Sequence, residues 1–226
     1  YLNFATDMLD GKRAEFYQNS CDKINDISKS LIFLGLEICD LSEDVFANKM
    51  QSMKLQHYSP FLRDLRYGRK YNKSQVIEEV LHETSQTAAN AWSRFFDQYL
   101  AGLRFVKDGQ DYGANEIFNF LSSHDPEVRK SSSKAIAKTL GDNIKTFAFI
   151  TNTLAKDKSI NDKIRDFEHP VQSRNVANLI EDEVVESLTE TVKLNYPDIS
   201  HRYYKYKAKL FNKEYLDYWD RNAPLP

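Results

Sequence analysis

Glycine and proline are scarce. Seven glycines and six prolines in 226 residues are about half the share of an ordinary globular chain. Few residues interrupt a helix, while Lys, Glu, Leu and Ala are plentiful, so the composition favours helix over sheet. An excess of basic charge is missing too. Thirty-one Lys and Arg against 33 Asp and Glu leave a net charge of −2, with both signs mixed along the chain. That excludes the basic footprint of a nucleic-acid binder and a polybasic membrane anchor. No apolar run approaches bilayer length; the longest, Leu31 to Leu36, ends at Glu37. Only two cysteines occur, Cys21 and Cys39, and both fall on one predicted helix. Eighteen residues at about 1.5 Å each separate them by roughly 27 Å, whereas a disulfide needs Cα atoms within about 7 Å. They are expected to be free thiols, which suits a reducing cytoplasm. No signal-peptide pattern is visible at the start, and a first residue of Tyr1 rather than Met is compatible with removal of an upstream segment. The length allows one large domain or two small ones.

What is present reads as helix for most of the chain. Between Lys12 and Leu41 the residues Ile24, Ile27, Leu31, Leu34, Ile38 and Leu41 step by three and four. That is the seam of an antiparallel or coiled-coil-like helix pair. Ile32, Phe33 and Leu36 widen the stripe, so burial on more than one side is expected. Ser42 followed by Glu43 and Asp44 caps a helix to about Met53, and a short helix ends near Gly68. Asn72 or Ser74 starts one whose apolar face runs from Ile77 to Tyr99, with Trp92 and Phe95 as core anchors. Leu103 to Tyr112 is the one strand candidate, a hairpin turning at Asp108-Gly109. A short helix over Asn115 to Leu121 follows. Asp125-Pro126-Glu127 opens a helix whose apolar phase survives Gly141, as one helix or two nearly collinear ones, closing at Lys156 to Lys158. Glu181, Asp182 and Glu183 start the next helix, with Val184, Leu188, Thr191 and Val192 as its buried face. Pro197 opens the last. The fold class is mainly α: a multi-helix body with long antiparallel helices and one small β-hairpin near residues 103–112.

Chemistry is harder to find. A zincin needs H-E-x-x-H on a helix, which brings two imidazoles and a general-base Glu to one face. His82-Glu83-Thr84-Ser85-Gln86 supplies the first two letters, but Gln86 is a poor zinc ligand, and chance accounts for the match. His57, His124, His169 and His201 are scattered singly and read as structural or surface residues. There is no G-x-S-x-G elbow, no activated Cys and no Gly-rich phosphate loop. His201 to Lys209 interleaves basic and aromatic residues, as a single-strand binder would. On a helix, however, Tyr203, Tyr206 and Leu210 share a face, so a buried aromatic face with a solvated basic flank is favoured. Trp219-Asp220-Arg221-Asn222 would either shape a peptide cleft or clamp an irregular, Pro-rich exit from the helical body. The clamp is favoured, with no catalytic role.

Several stretches carry a family likeness. They are Ala91 to Phe96, Leu121 to Asp125 with Arg129, Asn152 to Lys158, Ser173-Arg174-Asn175, Asp182 to Val185, His201 to Tyr204, Lys207 to Lys209 and Trp219 to Pro224. Together they resemble the oligoendopeptidase F family of thimet-oligopeptidase-like zinc metallopeptidases over nearly the whole chain. The family usually has a Gly after the helix that ends near Leu210; Phe211-Asn212 stands here, and Asn tolerates the same left-handed cap.

The resemblance implies a mainly helical protein that hydrolyses short peptides in a deep channel between two lobes. Its zinc would sit on an H-E-x-x-H helix with a further Glu ligand downstream, and the motif's Glu would activate a zinc-bound water. In such proteins the stretch resembling Trp219 to Pro226 precedes that motif. The chain is therefore expected to be an inactive N-terminal scaffold, with residues 1–124 a helical region with a hairpin and 125–226 the start of the peptidase domain. Zinc belongs to the parent, and none is expected here. No catalytic, metal or cofactor-binding residue is assigned to any position, and substrate-binding residues are not identified. Expected partners are short peptides and the missing C-terminal lobe, with no nucleic acid and no membrane. An exposed docking face would promote self-association. The alternative is a stand-alone helical binding module on the same fold.

Overall fold

With so few helix breakers the chain runs from helix to helix, and the computed structural model, which describes residues 1–226, holds a single hairpin among them. The elements in order are α1 (Leu2–Thr6), α2 (Gly11–Asp40), α3 (Glu43–Met50), α4 (Met53–Gln56), α5 (Ser59–Tyr67), α6 (Gln75–Ser85) and α7 (Ala89–Gly102). Strands β1 (Phe105–Lys107) and β2 (Gln110–Tyr112) follow, then α8 (Ala114–Asn119), α9 (Pro126–Asp142), α10 (Ile144–Arg165), α11 (Gln172–Ala177), α12 (Asp182–Asn195) and α13 (Arg202–Leu210). No helix is long and apolar enough to cross a membrane. The chain divides into two compact units. One comprises residues 1–93 and 153–186, the other 94–152 and 187–226. The division expected at 124/125 falls inside the second unit.

In the first unit α2 is the long element. Asp10 caps it by accepting from the amides of Lys12 and Arg13. At its far end Arg66, buried, donates to the carbonyls of Ile38 and Cys39, groups that a helix end leaves without partners. Helix α6 runs antiparallel to α2. Lys29 meets Glu83 at 2.7 Å, and the Asn25 carbonyl lies 3.1 Å from His82 Nε2. The packed face of α2 is therefore the line of Asn25, Lys29 and Cys39. The heptad residues Ile24, Ile27, Leu31 and Leu34 lie about a third of a turn away and are exposed. The expected helix-pair seam exists in the sequence, but α5 and α6 do not occupy it. Farther along, Arg165 at the end of α10 grips Glu78 through two bonds of 2.8 and 2.7 Å, and Phe167 stacks on Tyr71 at 4.2 Å.

The second unit is built around the hairpin. Phe105 pairs with Tyr112, Val106 with Asp111 and Lys107 with Gln110. The turn takes φ of 52° at Asp108 and 80° at Gly109, the doubly left-handed geometry that matches strand twist. Phe105 and Ile117 are fully buried with Ala135, flanked by Leu100, Leu103, Ile136 and Leu140. This is the core, rather than Trp92 and Phe95; Phe95 is exposed. Asp125 caps α9 by accepting from Glu127 N.

Several boundaries differ from expectation for local reasons. The helix expected from residue 74 to 99 is broken at Gln86–Ala88, where Thr84, Ser85 and Thr87 hydroxyls bond back to the carbonyls of Val80, His82 and Thr84. Such back-bonding competes with the helix ladder. The break near Gly141 falls at Asn143, held by Thr139 O and by Tyr99 Oη. Lys156 to Lys158 do not close α10: Lys158 bonds Asp162 one turn on, which supports the helix. Pro197 opens a widened turn, in which His201 N reaches Tyr196 O at 2.9 Å, before α13 begins. Val184, Leu188 and Val192 on α12 are exposed, not buried.

Scarce glycine also shows at helix ends. Asp166, Leu179 and Asn212 all take left-handed φ, 61°, 55° and 54°. Each closes a helix with paired bonds of the Schellman type: Phe167 N to Asp162 O, Ile180 N to Asn175 O and Lys213 N to Ala208 O, at 3.0, 3.0 and 2.9 Å.

Candidate functional site

The most concentrated polar chemistry lies where α9, α13 and the last residues meet. Arg129 projects from the first turn of α9 and Asp220 from a short turn at Tyr218–Asp220; they are 1% and 0% exposed. Arg129 Nη2 donates to Asp220 Oδ1 at 2.7 Å, while its Nη1 donates to the carbonyls of Ser123 and His124. Its Nε is buried without a partner. Lys213 Nζ takes the other carboxylate oxygen at 2.5 Å and also bonds Asp217. Burial opposes ionisation of Asp220, but the bonds from Arg129 and Lys213 outweigh it and hold the carboxyl below its usual range.

Lys207, on the inner side of α13 and buried, donates to the carbonyls of Arg221 and Ala223 at 2.9 and 2.7 Å. Burial, reinforced by the nearby Arg129 charge, pulls its pKa down. The cluster thus pins residues 217–223 to the helices. Asp220 is the centre of a clamp, as favoured from sequence, but its cation is Arg129, not the adjacent Arg221. The aromatic-face reading of α13 is inverted: Tyr203 and Tyr206 are exposed, whereas Lys207 and Ala208 are buried. Beside the clamp, a cavity of about 430 Å³ is lined by His201, Tyr204, Ala208, Tyr215, Tyr218 and Arg221.

The remaining candidates are held in structural contacts. Asn25 anchors both His82 and Gln86, whose amide donates to Asn25 Oδ1 at 3.1 Å. Glu83 is drawn to Lys29, which lowers its pKa. The half-motif at 82–86 is thus a helix-packing device. No group of three or more His, Cys, Asp and Glu side chains could hold a metal ion, so the residues present do not fit a zinc site. Asn175 Nδ2 and His169 Nε2 converge on Asp182 at 2.7 and 3.0 Å, and these bonds lower the Asp182 pKa. The node fixes the start of α12. His57 packs edge-on against Tyr58, and the His124 side chain is exposed. Cys21 and Cys39 are free thiols; burial pushes Cys39 up, away from nucleophilic use at neutral pH. Sequence reasoning missed Lys207 and Lys213 as clamp members and the Arg165–Glu78 pair. Arg165 and Glu78, 87 residues apart, and Arg129 and Asp220, 91 apart, leave no local signal of their pairing.

Comparison with known proteins supplies the context for this scaffold. Residues 37–105 match the sequence profile of Oligopeptidase F. The chain is 24% identical over 237 positions to the oligopeptidase PepF of Bacillus subtilis (strain 168), covering all of this chain and 35% of that protein. It is 26% identical over 221 positions to the group B oligopeptidase PepB of Streptococcus agalactiae serotype III (strain NEM316), covering 95% of this chain and 37% of that one. The fold is that of the oligoendopeptidase-F crystal structure from Enterococcus faecium, with a TM-score of 0.86 at 22% identity over 99% of this chain and 45% of that one. The chain therefore spans little more than a third of the length of the relatives it matches. By sequence the chain is similar to oligopeptidases over a part of their length, and by fold it is like the oligoendopeptidase-F structure.

Proposed function

We propose that the chain is the N-terminal scaffold of a zinc metalloendopeptidase that hydrolyses short peptides in an internal channel, acting in the cytoplasm. The observation that carries this reading is similarity to oligopeptidases along at least 95% of the chain. In this reading the zinc-bearing half lies outside residues 1–226. The scaffold excludes large folded substrates and supplies one channel wall. None of its residues is assigned a catalytic or metal role, and residues 1–226 alone are inactive. The exposed row Val184, Leu188 and Val192 on α12 supports a scaffold over a stand-alone binding module, whose surface would be closed.

The test is hydrolysis of a quenched fluorogenic peptide of under about a dozen residues, by the complete protein and by residues 1–226, with zinc added and with chelator. Turnover by the complete protein that stops with chelator, beside none by residues 1–226, is expected. Zinc-dependent turnover by residues 1–226, or none by the complete protein, overturns the reading.

A further inference from the structure

A cavity of about 450 Å³ opens between α3 and α5. It is lined by Arg63, Arg66, Arg69 and Lys70 together with the rings of Phe46 and Tyr67. Arg63 and Arg66 stand one turn apart on α5, and Arg69 follows three residues later in the short turn Arg69–Tyr71. Steps of three bring their side chains to one side. The chain as a whole is slightly acidic; this pocket is basic.

Its geometry is that of an anion receptor. Arg66 Nη2 and Arg69 Nη2 converge on one oxygen, Glu43 Oε1, at 3.1 and 2.5 Å. Arg66 is fixed in place. Its side chain is 5% exposed, it donates to the carbonyls of Ile38 and Cys39, and its guanidinium lies 4.3 Å from the centre of the Phe46 ring. Glu43 is free to swing out, because its side chain is 68% exposed and it is the first residue of α3. Bonds from Arg69 and Arg66 hold its carboxyl below the usual range. Arg63 pairs with Asp64, its neighbour in sequence. Lys70 makes no salt bridge; its ammonium lies 4.7 Å from the centre of the Tyr71 ring. Four cations thus share two carboxylates.

We propose that this pocket binds the phosphate chain of a small polyphosphate, the Glu43 carboxylate marking the position that a phosphoryl oxygen takes over. Guanidinium groups match phosphate geometry, and Lys70 adds a point charge. A single carboxylate would gain nothing, since Glu43 is tethered there at an effective concentration of about millimolar or more. Two linked phosphoryl groups carry more charge than Glu43 and reach Arg63, Arg69 and Lys70 at once. A chain of two or more phosphoryl groups is common to inorganic polyphosphates and nucleoside diphosphates. Tyr67, exposed at the edge of the pocket, offers the base of a nucleotide a ring to stack on. The inference rests on residues 38–71 and stands apart from the peptidase reading.

The test is isothermal titration calorimetry of the complete protein with sodium pyrophosphate and with ADP at low ionic strength. Binding with a Kd below about 1 mM is expected. Arg69→Gln and Lys70→Gln each weaken it at least about fivefold, with Tm unchanged within about 2 °C. Glu43→Gln tightens it at least about threefold, because the competing charge is gone; no folding defect produces such a gain. Lys134→Gln, which removes an exposed charge on α9, leaves Kd within about twofold. Phosphate held by a metal elsewhere in the complete protein is common to all these variants and leaves their differences untouched. No binding at about 5 mM, equal weakening by Lys134→Gln, or weaker binding by Glu43→Gln overturns the proposal. Tighter binding of ADP than of pyrophosphate, lost in Tyr67→Leu, supports it with a nucleotide as the ligand. Equal or weaker binding of ADP supports it with the inorganic anion.

Discussion

Replacing Asp220 by Asn tests the clamp. The substitution keeps shape and one acceptor but removes the negative charge that faces Arg129 at 2.7 Å and Lys213 at 2.5 Å. Arg129 is almost wholly buried, with one nitrogen already lacking a partner, so it cannot turn to water for compensation. Leaving one member of a buried pair uncompensated costs about 3–5 kcal/mol. At about 2–4 °C per kcal/mol for a chain of this size, a loss of about 4 kcal/mol lowers Tm by roughly 8–16 °C. The assay is thermal unfolding followed by circular dichroism at neutral pH, with Lys213→Met beside it. Lys213 is partly exposed, so its loss should cost about 1 kcal/mol or less. The double change Arg129→Met with Asp220→Leu should recover only part of the loss, because the carbonyls of Ser123 and His124 also lose their donor. An Asp220→Asn shift below about 2 °C, or a Lys213→Met shift as large, would refute the view that Arg129–Asp220 is the centre of the cluster.

Further expectations follow from the same contacts. Asp220 and Glu78 both have lowered folded-state pKa values, burial being outweighed by hydrogen bonds from Arg129 and Lys213 and from Arg165 and the Lys73 amide. Their stabilisation is present above the unfolded values, about 3.9 and 4.3, and is lost as pH falls through the folded ones. Urea midpoints should therefore drop on acidification below about pH 4.5, and Asp220→Asn should flatten that drop; an unchanged slope would count against the assignment. Leu179→Gly should raise stability by about 0.5–1 kcal/mol in urea unfolding, since a bulky residue at φ 55° is strained by about 1–2 kcal/mol and Gly returns part of that as backbone entropy. A loss of stability would show that the Leu179 side chain matters more than its backbone. Lys207→Met strips the donor from Arg221 O and Ala223 O, so limited proteolysis should cut within residues 212–223 at least about tenfold faster, while cleavage elsewhere is unchanged.

The parts of the fold legible in sequence were those written by local chemistry. Asp108-Gly109 dictated the hairpin turn, Ser42 and Asp125 placed two helix starts, and Asn212 took the left-handed cap expected of it. Faces were harder. The heptad row on α2 and the apolar row on α12 look buried in the sequence, because periodicity reports that a face is apolar and not which neighbour covers it. The core at Phe105, Ile117 and Ala135 combines a strand and two helices, none with a strong periodic signal of its own. The clamp was half legible. Asp220 stood out within an unusual run of residues, but nothing in a linear sequence shows that Lys207 will turn inward toward two carbonyls 14 and 16 residues away.

As proposed above, residues 1–226 would be the metal-free scaffold of a zinc peptidase. Zinc content measured after gel filtration, for the complete protein and for residues 1–226 side by side, decides this. About one zinc per complete chain and none retained by residues 1–226 is expected. Stoichiometric zinc on residues 1–226, or a complete protein that holds none, would contradict it.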